Sequence, residues 1–128
     1  MSNDGSRIVV SGKLGDAVLA NAGSVYERSG RSWMQLGDTL HGALASELFG
    51  ASVALSGDGS ALAVGSPRSA SSGTESGSVQ VYTYTYNSET AKWSWTVRGN
   101  VLHGTQPYDR FGTSVDMNYD GTRFLGGS

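Results

Sequence analysis

The chain repeats itself, and this repeat restricts the possible folds more than any other feature of the sequence. The segment FGASVALSGDGSALAVGS at 49–66 aligns with FGTSVDMNYDGTRFLGGS at 111–128, with eight identical positions of eighteen at an offset of 62. The segment 1–12 aligns with 55–66 at an offset of 54, and 33–42 aligns with 95–104 at an offset of 62. A unit of 54–62 residues therefore recurs, which is typical of proteins built from small units that pack on their neighbours.

Within the complete unit, short runs of apolar residues alternate with polar ones, and this period of two predicts β-strands. Four such runs are centred on Val53 and Leu55, on Leu62 and Val64, on Val79 and Val81, and on Trp93, Trp95 and Val97. The pair Asp58-Gly59 between the first two runs predicts a tight hairpin turn in which the pair supplies positive φ angles. Residues 67–78 read as a loop and 87–91 as a turn, whereas ALASEL at 43–48 is long enough for one helical turn only.

Each unit is therefore predicted to be four short antiparallel strands, and the fold class all-β with the blades of a β-propeller. A β-solenoid or a stack of small sheets is the alternative, but solenoid coils usually repeat at roughly 20–30 residues. The repeat divides the chain into a partial blade at 1–48 (strands 2–4), a complete blade at 49–110 and a partial blade at 111–128 (strands 1–2). Because propellers need about four to eight blades, we expect an open-ended fragment of a longer protein, or partial blades completed by other copies.

Several of the repeated residues resemble those of a known family. Phe49-Gly50 and Phe111-Gly112 open their units, VGSP follows at 64–67, and GSV at 77–79 precedes Tyr82. In this order and spacing they are similar to FG-GAP repeats, the blades of integrin α-subunit propellers and of many secreted proteins. The resemblance implies a propeller fold, a place outside the cell or on its surface, and a structural or adhesive role. The implied partners are neighbouring blades of the same protein, other copies of it, and protein or glycan ligands.

The same resemblance raises the question of calcium, because the family often carries a D-x-D-x-D-G loop between its first two strands. The equivalent segments here, SNDGS at 2–6, SGDGS at 56–60 and NYDGT at 118–122, each contain one aspartate. Calcium is usually bound by six to eight oxygens from several carboxylates. We therefore expect no calcium and no other cofactor, and we interpret Asp4, Asp58 and Asp120 as turn residues, called the turn aspartates below.

Composition and motifs exclude several other classes of function. The net charge is −2, the pI is about 5.5 and no basic stretch occurs, so no nucleic-acid partner is expected. The apolar runs are too short for membrane insertion, and the absence of cysteine excludes thiolate metal sites. His41 and His103 occupy equivalent LHG positions, which favours a shared turn role over a metal site. No nucleophile, phosphate-loop or zinc-protease motif occurs, so the chain is predicted not to be an enzyme.

The sequence VYTYTYNSETAKWSW at 81–95 is the candidate contact site, because it concentrates five aromatic residues within an insertion that distinguishes this unit. The candidates are Tyr82, Tyr84, Tyr86, Trp93 and Trp95. The tyrosines are predicted to share one face of a strand and the tryptophans one face of the partner strand. Three roles remain open: cross-strand pairing that stabilises an outer hairpin, a protein–protein contact, and stacking on sugar rings in a carbohydrate-binding module.

Overall fold

The computed structural model describes residues 1–12 and 22–128, and its described strands form three antiparallel sheets. The first sheet contains β1 (Arg7–Gly12), β2 (Ala22–Ser29), β3 (Ser32–Gln35) and β4 (Leu40–His41). The middle sheet contains β5 (Ser52–Leu55), β6 (Ala61–Ser66), β7 (Ser78–Asn87) and β8 (Lys92–His103), in that order across the sheet. The last sheet pairs β9 (Ser114–Met117) with β10 (Phe124–Gly127).

The predicted all-β fold class is confirmed. In the middle and last sheets consecutive strands are antiparallel neighbours, and in the first sheet β3 and β4 both pair with β2. This order is typical of a propeller blade and not of the coils of a solenoid. Helical structure in the described residues is limited to one 3-10 turn at Ala45–Glu47, inside the segment where one helical turn was predicted. The predicted division of the chain into units at 1–48, 49–110 and 111–128 stays a prediction.

The hairpin turns differ from the prediction in one detail. Gly5, Gly59 and Gly121 have positive φ, but the aspartates before them do not, so the Asp-Gly pair does not supply two left-handed residues. Instead the N–H of Gly59 donates to the Ser56 carbonyl oxygen at 2.8 Å, which closes a four-residue turn, and the glycine at its end is the residue with positive φ. Longer hairpin loops that are built on such a turn need one left-handed residue and not two.

The two faces of the middle sheet pack on different neighbours. One face, called the large face, carries Leu62, Val64 and Tyr82, and it packs on the first sheet through Val9 and Val25. The opposite face carries small residues such as Ala63, and it lies against the last sheet, where the Ser52 hydroxyl donates to the Gly112 carbonyl oxygen at 2.7 Å. The core therefore lies between sheets, because a single sheet of this size cannot bury its own apolar face.

The Phe-Gly pairs that open the repeat make the same backbone hydrogen bond in both units. The N–H of Gly50 donates to the Gly65 carbonyl oxygen at 2.9 Å, and the N–H of Gly112 donates to the Gly127 carbonyl oxygen at 2.9 Å. Both Gly50 and Gly112 have positive φ, which only glycine adopts at little cost. Phe49 is buried in the core between the first two sheets, so the motif ties a strand end to its neighbour while its ring fills the interface.

Candidate interaction surfaces

The five aromatic candidates lie on one face of the β7–β8 hairpin. Tyr84 pairs with Trp95 and Tyr86 with Trp93 across the two strands, while Tyr82 pairs with Val97. Directly paired residues project to the same side of a sheet, so the predicted tyrosine and tryptophan faces merge into one. The rings follow one another closely, with centroids 5.1 Å apart for Tyr84 and Trp95 and 5.3 Å apart for Tyr84 and Trp93.

The inner end of this aromatic ladder belongs to the core. Trp95 is only 8% exposed, and its Nε1 donates to the Leu36 carbonyl oxygen at 2.8 Å, in the segment between β3 and β4. Tyr82 packs against the same core, and burial raises the pKa of its hydroxyl. Trp95 and Tyr82 therefore join two sheets, and Trp95 offers little surface to a partner.

The outer end of the ladder is open to solvent. Trp93 is 56% exposed and Tyr86 is 53% exposed. The Trp93 ring stacks on Tyr84 with an interplanar angle of 21°. The Tyr86 ring packs against Trp93 with an interplanar angle of 52°. Tyr84, Tyr86 and Trp93 are thus the three predicted contact residues that the structure leaves accessible as a group.

Residues of the first sheet complete this surface, although no sequence pattern indicates them. Arg7 and Glu27 border a cleft of about 590 Å³ together with Leu36, Tyr84 and Trp93. Arg7 Nε and Nη2 both bond to Glu27 Oε1, at 3.0 and 2.9 Å, and its guanidinium lies 5.8 Å from the Tyr84 ring centroid. The sequence offers only a weak signal for them, because the contact joins residues more than fifty positions apart and depends on how two sheets stack.

Two further surfaces are sheet faces that no described residue covers. The first open face is the side of the first sheet that carries Val10 and Trp33; the other members are Ile8, Ser24, Tyr26 and Gln35. Val10 is the repeat counterpart of Val64, which is fully buried, yet Val10 is 52% exposed. Trp33 is the sequence counterpart of Trp95 and lies on the corresponding face, but it is 45% exposed.

The last open face is the side of the last sheet that corresponds to the small-residue face of the middle sheet, and it lies at the other end of the stack. It carries Leu125 beside Asp116, together with Ser114 and Gly127. Leu125 is the repeat counterpart of Ala63, which is fully buried, but Leu125 is 75% exposed. Positions that are buried in the middle unit are therefore exposed in the units on either side, where no described sheet covers them.

The three turn aspartates repeat one hydrogen-bond pattern, which confirms their interpretation as turn residues. In Asp58, for example, Oδ1 accepts from the Ser56 hydroxyl and from both the N–H and the hydroxyl of Ser60. The pKa of Asp4 is lowered to about 2, chiefly by the Ser6 N–H and then by the Ser6 and Ser2 hydroxyls. In Asp120 the Thr122 hydroxyl and N–H lower the pKa, and in Asp58 similar bonds outweigh a burial effect that would raise it.

The two histidines hold equivalent places in the first and middle sheets. His41 and His103 each end the last strand of their sheet, and both are exposed. Within residues 1–12 and 22–128, no three or more His, Cys, Asp or Glu side chains are grouped closely enough to hold a metal ion. The same residues contain no helix with the length and apolarity needed to cross a bilayer.

Comparison with known proteins finds a family match over part of the chain. Residues 39–82 match the family model of the FG-GAP repeat, a range that includes Phe49-Gly50, the second turn aspartate and the start of β7. None of the curated proteins matches the chain.

Proposed function

Since residues 39–82 match the FG-GAP repeat and the described chain folds into small antiparallel sheets, we propose that it is a non-enzymatic structural or adhesive segment of a larger extracellular or cell-surface protein. It would act by making protein–protein contacts through its open blade faces. The partners are neighbouring blades of the same protein or other copies of this chain. FG-GAP repeats are typical of extracellular proteins, which supports the proposed location.

The observation that carries this proposal is the repeated use of one interface. The large face of the middle sheet packs on the first sheet, and the large face of the last sheet, with Val115 and Phe124, packs on the small-residue face of the middle sheet. Residues 1–12 and 22–128 leave one face of each kind uncovered, the first open face and the last open face. Two complementary faces at opposite ends favour head-to-tail association, which gives rings when it closes and filaments when it does not.

The turns reinforce the same stacking. The N–H of Asn3 donates to the Gly57 carbonyl oxygen at 2.7 Å, and the N–H of Asp58 donates to the Tyr119 carbonyl oxygen at 2.8 Å. Each hairpin turn therefore bonds to the next one along the stack. The carboxylates that recur in the repeat also support a non-enzymatic role. Each turn aspartate already accepts hydrogen bonds from residues of its own turn.

The proposal is tested by measuring the mass of the purified chain by light scattering over a range of concentrations. We expect multimers for the native chain, and monomers for both Val10→Asp and Leu125→Asp, because each variant places a charge on one open face. An equimolar mixture of the two variants should form a dimer and nothing larger, since each contributes the face that the other lacks. Leu44→Asp is the control, as Leu44 is 60% exposed in the loop before β5 and belongs to neither face.

Two results would contradict head-to-tail association. A native chain that is folded and monomeric at every concentration would show that the open faces do not bind each other. Multimers of Leu125→Asp that match those of the native chain would show that the last open face takes no part in assembly.

A further inference from the structure

We infer that the outer end of the aromatic ladder, together with the first-sheet residues beside it, is a binding site for a neutral oligosaccharide. Arg7, Glu27, Tyr84 and Trp93 border the cleft of about 590 Å³. Tyr84 and Trp93 also border a second cleft of about 560 Å³, with Asp38 and Lys92. The two clefts therefore share an aromatic pair and are together called the groove below, and each has a volume in the range of roughly 300–1,000 Å³ that is typical of ligand sites.

The aromatic centre suits the apolar side of a sugar ring. Trp93 and Tyr86 are both more than half exposed, although exposing rings of this size to water is costly. The C–H bonds on one side of a pyranose carry partial positive charge, and the face of an aromatic ring carries partial negative charge. A sugar stacked on Trp93 would therefore replace water with a favourable contact, and the Tyr84 stack beneath keeps the indole in place.

The polar rim of the groove suits hydroxyl groups. Glu27 Oε1 accepts both bonds from Arg7, whereas Oε2 receives no hydrogen bond from the described part of the chain. The bonds from Arg7 to Glu27 and to the Gly59 carbonyl oxygen hold the carboxylate in one orientation at the groove edge. Glu27 is thus a positioned acceptor for a sugar hydroxyl close to the aromatic centre, as oriented recognition requires.

The charges of the groove favour a neutral ligand over an acidic one. Arg7 is balanced by Glu27 in one cleft, and Lys92 by Asp38 in the other. A site for an acidic polysaccharide would need an excess of cations.

The test is binding of the chain to an array of neutral hexasaccharides of glucose, mannose and N-acetylglucosamine, beside heparin-derived hexasaccharides. The best neutral ligand is then titrated against variants by tryptophan fluorescence. We expect Trp93→Ala to weaken binding about tenfold, from the loss of one stacking contact, and Glu27→Ala to weaken it about fivefold. Trp33→Ala is the matched control, since Trp33 is similarly exposed but lies on the first open face, and it should bind as the native chain does.

Several outcomes would overturn the inference. These are a lack of binding to every neutral hexasaccharide, binding to the heparin-derived sugars only, and equal loss in Trp93→Ala and Trp33→Ala. Far-UV circular dichroism checks that each variant is folded. If Trp93→Ala does not fold, the result for Glu27→Ala still decides the test. The outcome is independent of the proposed assembly, because the groove is separate from both open faces and Val10→Asp should bind sugar unchanged.

Discussion

Trp95 joins the first and middle sheets, so replacing it tests whether these sheets depend on each other for stability. Its indole packs in the core cluster with Val25 and Leu62, and its Nε1 bonds to the Leu36 carbonyl oxygen at 2.8 Å. The ring and the carbonyl belong to different sheets, so both the packing and the hydrogen bond cross the interface. Loss of either should lower the free energy of unfolding of the whole chain rather than of one hairpin.

The magnitude follows from what each substitution removes. Trp95→Ala deletes a large buried side chain, which typically costs about 3–5 kcal/mol in the free energy of unfolding. Trp95→Phe keeps most of the apolar volume but leaves the Leu36 carbonyl without its indole donor, at about 1–3 kcal/mol. Trp93→Ala, two residues away on the same strand, loses mainly its stack on Tyr84, for about 0.5–1.5 kcal/mol.

The assay is urea unfolding followed by far-UV circular dichroism at one fixed protein concentration. A fixed concentration is needed because self-association would itself stabilise the folded chain. We expect the order of destabilisation Trp95→Ala, then Trp95→Phe, then Trp93→Ala. Equal losses for Trp95→Ala and Trp93→Ala would refute the reasoning, because they would mean that the sheets do not support each other through this residue.

Two further predictions concern the turns and the interface with the last sheet. The turn aspartates have folded-state pKa values below their unfolded value of about 3.9, so their stabilising contribution is present above about pH 4 and is lost as the pH falls toward 2. Replacing all three with asparagine should flatten the dependence of unfolding free energy on pH in that window, as measured by urea titrations from pH 2 to 5; an unchanged slope would contradict this. Gly65→Ala should destabilise the chain by about 3 kcal/mol in thermal or urea unfolding, because its Cβ would collide with the Gly112 carbonyl. Gly23→Ala should be nearly neutral, because no described atom beyond its chain neighbours lies within 4 Å of the added Cβ.

The local structure could be predicted from the sequence because neighbouring residues determine it. Alternation of apolar residues gave the strands around Leu62 and Val64, since a pleated strand sends successive side chains to opposite faces. The turn at Asp58-Gly59 was located correctly, although the prediction that the pair supplies positive φ was wrong, as the glycine alone does so. The shared aromatic face of β7 and β8 also follows from spacing alone once the two strands pair.

Burial was decided by the tertiary structure, and the two tryptophans of the repeat show why. Trp33 and Trp95 occupy the same place in the repeat and the same face of their sheets, yet one is exposed and the other is buried against Leu36. The difference comes from whether another sheet covers that face, which the local pattern does not encode. For the same reason Arg7 and Glu27 were not predicted beside Tyr84, because residues distant in sequence meet there only when two sheets stack. The sequence by itself determined the strands, turns and repeat, whereas stacking between sheets determined which side chains became core, open face or groove.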